Sequence, residues 1–215
     1  MDGRFVEGLD PLAEGRSALW MSQDDSELEA RLAAIVRANP ELMHVLETAR
    51  SQGLPDWLIV SGAVYQSVLN HLTGRPHGYG LKDYDLAYFD ASDLSYEAED
   101  VVIRRVAAAF DPPLKDLVEV RNQARVHLWF EQHFGEPYGP LSCTAEALTR
   151  FTSATFAVGV RLEPDGRLRM EAPFGLQDLF ALRLRPNPLR ATLGFESTAA
   201  AVLARWPEVA ISAST

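Results

Sequence analysis

The sequence predicts an α/β (α+β) fold, in which a small β-sheet is flanked by helices. Three observations carry this prediction: apolar stripes of helical spacing near the N-terminus, short apolar runs that alternate with helical segments in the middle, and a hairpin pattern before a last helix. The chain has 215 residues, of which 47% are hydrophobic, so it is long enough to bury a substantial core.

The first elements are two helices that follow a loosely ordered N-terminal arm. Residues 1–25 show no clear periodicity and form this arm, whereas residues 26–215 form a single domain with helical flanks. The segment Ser26–Glu29 has the capping-box pattern that opens a helix. Asn39 and Pro40 end that helix and begin the next, because asparagine caps helices and proline suits the first helical position.

Short strands and helices then alternate, and a hairpin and a final helix follow. Apolar runs and breaker residues predict strands at 57–61, 81–90, 117–120, 156–162 and 167–171, and helices at 63–72, 97–110, 122–134 and 197–206. The last two strands are joined by Pro164-Asp165-Gly166, which is typical of a hairpin turn.

Two aspartates on the predicted strand 81–90 indicate a functional site. Because successive strand side chains alternate faces, Asp83 and Asp85 point the same way. Two like charges side by side destabilise an apolar strand unless a positive group lies between them. Carboxylate oxygens suit Mg²⁺ or Mn²⁺, so the pair is a candidate metal site. The alternative is that the aspartates cap a turn or pair with Lys82 and a nearby arginine.

Two further features complete the candidate site. Gly62 follows the predicted strand 57–61 and opens a helix, where free backbone N–H groups and the helix dipole favour a phosphate. Glu119 lies on a later strand and faces the aspartates if the two strands are neighbours. Three carboxylates beside such a helix start suit two-metal phosphoryl transfer, with Glu119 binding the second ion or accepting the proton of the acceptor hydroxyl. Alternatively, Glu119 pairs with Arg121 or Arg125.

These motifs resemble the polymerase-β-like nucleotidyltransferase superfamily. The resemblance is carried by Gly62-Ala63 after an apolar strand, by Asp83-Tyr84-Asp85-Leu86, and by Val118-Glu119-Val120. Over residues 26–207 the chain is similar to a bacterial branch of that superfamily, whose members are described only as nucleotidyltransferase family proteins.

The resemblance implies a mixed sheet, Mg²⁺ (or Mn²⁺) as cofactor, and transfer of a nucleoside monophosphate from a nucleoside triphosphate to a hydroxyl. It also implies that three carboxylates are catalytic residues and metal ligands, namely Asp83, Asp85 and Glu119. The residues expected to contact the nucleotide are Gly62, Ala63, Lys82, Arg121 and Arg125. For the two arginines, a phosphate or acceptor clamp and a supporting or solvated position are both open.

The chain departs from the superfamily pattern at two positions. Ala63 stands where serine or glycine is usual and lacks a hydroxyl that would help to hold a phosphate, and Glu119 stands where aspartate is commoner. These departures motivate an alternative, a catalytically silent nucleotide- or metal-binding protein. A third hypothesis is a regulatory interaction partner that uses its helical flanks as the interface.

Charge and cysteine content narrow the expected partners and setting. The formal net charge of −10 argues against a long nucleic-acid acceptor, which leaves a small molecule, an RNA end or a protein. Cys143 is the single cysteine, so the chain has no internal disulfide and we expect a reduced, cytoplasmic setting. No apolar run reaches the roughly 18 to 20 residues of a membrane span, so we expect no membrane partner.

Overall fold

The computed structural model describes residues 23–190 and 194–212. The predicted N-terminal arm, residues 1–25, lies outside these ranges except for its last residues, which belong to the first helix. That helix, α1, spans Gln23–Ala38 and therefore begins ahead of the predicted start at Ser26.

The described chain alternates helices with short strands. The remaining helices are α2 (Pro40–Ser51), α3 (Gly62–Leu72), α4 (Tyr96–Ala107), α5 (Leu114–Leu117), α6 (Phe130–Phe134), α7 (Thr144–Leu148), α8 (Gln177–Phe180) and α9 (Phe195–Arg205). The strands are β1 (Leu58–Val60), β2 (Tyr84–Tyr88), β3 (Val118–Asn122), β4 (Gly159–Leu162), β5 (Leu168–Glu171), β6 (Arg183–Leu184) and β7 (Ala210–Ile211). Single 3₁₀ turns occupy Val126–Leu128 and Ala154–Phe156.

Five strands form a mixed sheet in the order β3-β2-β1-β4-β5. Strand β2 runs parallel to β3, whereas β1 is antiparallel to both of its neighbours and β4 pairs with β5 as the predicted hairpin. The parallel pair requires a crossover, which α4 supplies. Strands β6 and β7 form a separate parallel pair. The predicted mixed sheet with flanking helices is confirmed.

The two faces of the sheet differ in what covers them. Helices α1 to α4 pack on one face, and the strand residues buried there are Ile59, Tyr84, Leu86, Tyr88, Val118, Val120, Val160 and Leu162. Full burial of each such side chain stabilises the fold by roughly 1.5–3 kcal/mol. The other face carries only a small apolar cluster, in which Val60 and Ala87 pack with Leu148 of α7. The rest of that second face is therefore free to hold polar side chains and a cavity.

Helix α2 starts as the sequence predicts. The Asn39 Oδ1 accepts a hydrogen bond of 3.2 Å from the Leu42 N–H, and Pro40 occupies the first helical position. This cap satisfies one of the backbone donors that a helix start otherwise leaves without a partner.

The prediction of a helix at 122–134 is wrong. Strand β3 continues to Asn122, and only a 3₁₀ turn and the short helix α6 follow. The reason is a pair of long-range hydrogen bonds: the Asn122 side chain donates to the Asp90 carbonyl at 2.8 Å and accepts from the Asp90 N–H at 3.0 Å. These bonds hold Asn122 beside the end of β2 and so keep it in the sheet.

Strand β2 is shorter than predicted, and several short elements were not predicted at all. Because β2 begins at Tyr84, Asp83 lies in the loop just ahead of it. Helices α7 and α8 have five and four residues, too few to show a helical repeat in the sequence. The last predicted helix is confirmed as α9.

Candidate active site

The junction between β1 and α3 forms one side of the candidate site. Ser61 joins the two elements with φ 63° and ψ −138°, a conformation that costs a non-glycine residue about 1–3 kcal/mol. Its carbonyl accepts hydrogen bonds from Val64 and Tyr65, but its side chain does not cap the helix. Helix α3, which begins at Gly62, therefore has no side-chain cap on its first-turn N–H groups, and such groups favour an anion.

Two of the candidate carboxylates lie side by side on the neighbouring strands β2 and β3, of which β3 is at the edge of the sheet. Asp85 of β2 pairs in register with Glu119 of the parallel strand β3 and with Val60 of β1. Paired strands lie about 4.8 Å apart, and paired residues point to the same face, so Glu119 lies beside Asp85. That face is the partly open one, because Val118 and Val120 point into the helix-covered core.

Asp85 occupies an electrostatically unfavourable position. Burial and the neighbouring Asp83 raise its pKa to about 6, and Glu119 adds a smaller upward effect. A hydrogen bond from the Ser61 hydroxyl and the positive charge of Arg121 act in the opposite direction and lower the pKa. The three carboxylates thus interact through space, and the positive charge of Arg121 only partly compensates them.

Asp83 and Asp85 could hold a divalent cation together with a substrate. Among the described residues, no three His, Cys, Asp or Glu side chains lie close enough to hold a metal ion by themselves. Mg²⁺ at phosphoryl-transfer sites needs only one or two carboxylates, because substrate phosphates supply further oxygens. The raised pKa of Asp85 fits this arrangement, since a cation would relieve the repulsion between the two aspartates.

A cavity of about 410 Å³ opens on this face of the sheet. Its floor contains Ser61, Asp85, Glu119 and Arg121. Its opposite wall comes from the chain between β3 and β4 and contains Gln123, Val126, Trp129, Phe130, Phe134, Tyr138, Ala147, Arg150 and Phe151. A second cavity, of about 620 Å³, adjoins it and shares Ser61 and part of the aromatic wall.

Two of the five predicted nucleotide contacts lie at this site. Gly62 begins α3, and Arg121 lines the cavity with its side chain about half exposed and paired to Glu119 at 3.7 Å. Ala63 is adjacent to Gly62, but its side chain is buried in the main core, away from the cavity. Lys82 is exposed and does not line the cavity.

Arg125 has a structural partner on the other face of the sheet. Its guanidinium forms a buried ion pair with Glu99 of α4, and its Nε donates to the Leu94 carbonyl at 3.1 Å. Glu99 also accepts a hydrogen bond of 2.8 Å from the Asn122 N–H. Arg125 therefore supports the end of β3, which is the supporting position that the sequence left open, and it does not line the cavity.

Sequence reasoning missed Ser61 and the aromatic wall. Ser61 was assigned only to the end of a strand, although it lines both cavities and donates to Asp85. Trp129, which belongs to that wall, is half-buried at the cavity. The available signal was the clustering of Trp129, Phe130, Phe134 and Tyr138 in a segment interrupted by glycine and proline, a composition typical of a functional loop.

We expect Ser61→Ala to raise the pKa of Asp85 above its value of about 6, because the change removes the hydroxyl that donates to this carboxylate. The Asp85 carboxyl carbon, followed by NMR during a pH titration, reports this shift. Ala63→Ser is the matched control, because it places a hydroxyl in the core and not at the cavity. We expect this variant to lose about 1–3 kcal/mol of stability and to leave the Asp85 titration unchanged. An identical Asp85 titration in Ser61→Ala and wild type would contradict the role of Ser61.

Comparison with known proteins agrees with this fold. The sequence model of a nucleotidyltransferase family matches residues 47–211, more than half of the chain. A solved NMR structure that reveals a CCA-adding enzyme head domain is similar, with a TM-score of 0.67 at 21% identity over 86% of this chain and 96% of that chain. At this identity the likeness concerns the fold. No curated protein matches the sequence. Within residues 23–190 and 194–212, no helix is long and apolar enough to cross a membrane.

Proposed function

The chain belongs to the nucleotidyltransferase family whose sequence model it matches, and on this premise we propose that it transfers a nucleoside monophosphate from a nucleoside triphosphate to a hydroxyl acceptor. The observation that carries the proposal is the register of the parallel strands, which sets Glu119 beside Asp85 on the open face of the sheet. The start of α3 at Gly62 adjoins these carboxylates through Ser61.

The start of α3 binds the phosphates in this proposal. Its first-turn N–H groups carry no side-chain cap, and the positive end of the helix dipole favours negative charge there. Arg121 adds a positive charge at the cavity floor. Asp83 and Asp85 would hold Mg²⁺ or Mn²⁺, and the bound ion would supply positive charge against the phosphates.

The reaction is a substitution at the α-phosphorus. The acceptor oxygen forms a bond to that phosphorus, the bond to the oxygen that bridges the α- and β-phosphates breaks, and pyrophosphate leaves. Glu119 takes the proton of the acceptor hydroxyl and returns it to solvent. Its exposed carboxylate beside Asp85 supports this role, because the residue contacts both the cavity and water.

A screen with labelled nucleoside triphosphates tests the proposal. We expect the wild-type protein with Mg²⁺ or Mn²⁺ to release pyrophosphate and label an acceptor from a panel of small alcohols, RNA ends and proteins, and we expect the Asp83→Asn/Asp85→Asn double variant to do neither. Equal behaviour of the two proteins across all four nucleotides would remove the support for catalysis at this site.

Equilibrium binding of the same labelled nucleotides, measured beside the screen, distinguishes the alternative of a catalytically silent protein. A catalytically silent protein would bind nucleotide without releasing pyrophosphate. That alternative is motivated by Ala63, whose side chain lies in the core, while Ser61 supplies a hydroxyl at the cavity instead.

A further inference from the structure

The order of the groups across the sheet indicates from which side the acceptor approaches in the proposed reaction. Glu119 is on β3, Asp85 is on the adjacent β2, and Ser61 follows β1, so the α3 start and Glu119 flank Asp85 from opposite sides. In phosphoryl transfer the attacking and leaving oxygens lie roughly in line through phosphorus. With the leaving phosphates at α3, the acceptor enters from the side of Glu119. The cavity of about 410 Å³ reaches that side, because Glu119, Arg121 and Gln123 line it, and it also extends to Ser61 beside the start of α3.

The size and lining of this cavity suit a small molecule with a planar ring. Its volume falls within the range of small-molecule sites, roughly 300–1,000 Å³. Its wall is a contiguous aromatic cluster, in which Phe130 packs against Phe134 and Tyr138 with ring centroids 4.6 and 4.5 Å apart. Trp129 lies 6.2 Å from Phe134 and extends the same wall. Aromatic surfaces of this kind gain stabilisation from an aromatic partner beyond the burial of area.

One cationic side chain on this wall, Arg150, is only weakly paired. The Nε of Arg150 is buried and makes no hydrogen bond within the described chain. The guanidinium lies 5.8 Å from the centre of the Tyr138 ring, and its Nη2 is a long 3.8 Å from Glu146. The Arg150 side chain is 42% exposed and its pair with Glu146 is long, so its guanidinium presents a positive charge that can pair with an oxyanion in the cavity. Because Arg150 lines both cavities, such a group would lie at their junction.

Resting on the proposed transferase function, we propose that the acceptor is a small ring-bearing alcohol that also carries a carboxylate or another oxyanion. Its ring packs against the wall that contains Trp129, Phe130 and Phe134. Its oxyanion accepts hydrogen bonds from Arg150, and its hydroxyl points toward Glu119. A cavity of about 410 Å³ accommodates a single molecule of this size.

Three matched probes test this acceptor class by calorimetry without nucleotide. 3-Phenyllactate has the ring, the hydroxyl and the carboxylate; lactate lacks the ring; and 3-phenylpropane-1,2-diol lacks the carboxylate. We expect 3-phenyllactate to bind at least about tenfold more tightly than either analogue, because it alone engages both the wall and Arg150. Equal affinities for the three probes, or no saturable binding of 3-phenyllactate at millimolar concentration, would overturn the inference.

Two variants locate the binding. We expect Arg150→Gln to weaken 3-phenyllactate binding about tenfold and to leave the diol unaffected, since only the former has a carboxylate. Arg167→Gln, on the exposed turn between β4 and β5, is the matched control and should change neither affinity. Unchanged 3-phenyllactate binding in Arg150→Gln would contradict the assignment. Because these measurements need no turnover, their failure is distinct from a failure of the nucleotide-transfer screen.

Discussion

Asp85→Asn is expected to reduce nucleotide transfer by at least about 10³-fold and, at the same time, to make the folded protein more stable at pH 8. The loss of transfer follows from the removal of a carboxylate that would hold the cation, because metal stabilisation of the developing charge is worth several kcal/mol. Pyrophosphate release measured at saturating Mg²⁺ gives the first quantity. Urea unfolding of both proteins at pH 8 gives the difference in stability.

The gain in stability has a definite pH dependence. The pKa of Asp85 is about 6 in the folded chain and 3.8 ordinarily, so between these values the folded state binds more protons than the unfolded state. Stability therefore decreases as pH rises through this window, and above pH 6 the charged Asp85 destabilises the fold by about 1–3 kcal/mol. Asparagine removes this charge but retains an oxygen that can accept the Ser61 hydrogen bond. We expect the advantage of the variant to disappear below about pH 4.

Asp165→Asn is the control for both measurements. Asp165 lies on the exposed hairpin turn, where hydrogen bonds from Arg167 lower its pKa. This variant should leave transfer unchanged and should not stabilise the fold at pH 8. If Asp85→Asn were as stable as wild type at pH 8, or less stable, the repulsion inferred among the carboxylates would be refuted.

The second large predicted effect is a difference in stability between variants of Arg121 and Arg125. The sequence left the same two alternatives open for both arginines. We expect Arg125→Gln to lower the free energy of unfolding by about 3–5 kcal/mol, because it leaves Glu99 buried without its ion-pair partner. We expect Arg121→Gln to change stability by less than about 1 kcal/mol, because its pair with Glu119 is exposed. Urea unfolding at neutral pH compares the two variants.

Activity measurements should rank the same variants in the opposite order. Arg121→Gln removes a positive charge from the cavity floor and should weaken nucleotide transfer about tenfold or more. The Glu99→Gln/Arg125→Met double variant, which removes both buried charges together, should recover most of the stability lost in Arg125→Gln. A stable Arg125→Gln protein with impaired transfer would instead place Arg125 in the nucleotide site.

The sequence could predict those parts of the site that follow from local chemistry. The local pattern is enough to put Asp85 on a strand, although Asp83 lies in the loop ahead of β2, and a glycine after an apolar run is enough to mark the start of α3. Glu119 could be predicted only conditionally, because its place beside Asp85 depends on the pairing of β2 with β3. The alternation of Val118, Glu119 and Val120 still predicted which of these side chains faces away from the core.

The other parts of the candidate site depend on contacts between residues that are far apart in the chain. Arg125 finds its partner Glu99 26 residues earlier on α4, and no local pattern reveals such a pair. Trp129 lines a cavity because the segment after β3 crosses the open face of the sheet, whereas its composition alone is compatible with burial. The predicted helix at 122–134 failed for the same reason, since the hydrogen bonds of Asn122 to Asp90 join residues that are far apart in sequence.

The two walls of the cavity have separate origins in the chain, and this separation has an evolutionary consequence. The carboxylates are on strands β2 and β3, whose register is fixed by the ladder and by the buried Glu99 beneath it. The aromatic wall belongs to the segment between β3 and β4, which contributes no strand to the sheet. This segment can therefore change in sequence over evolution without altering the strands that carry the carboxylates.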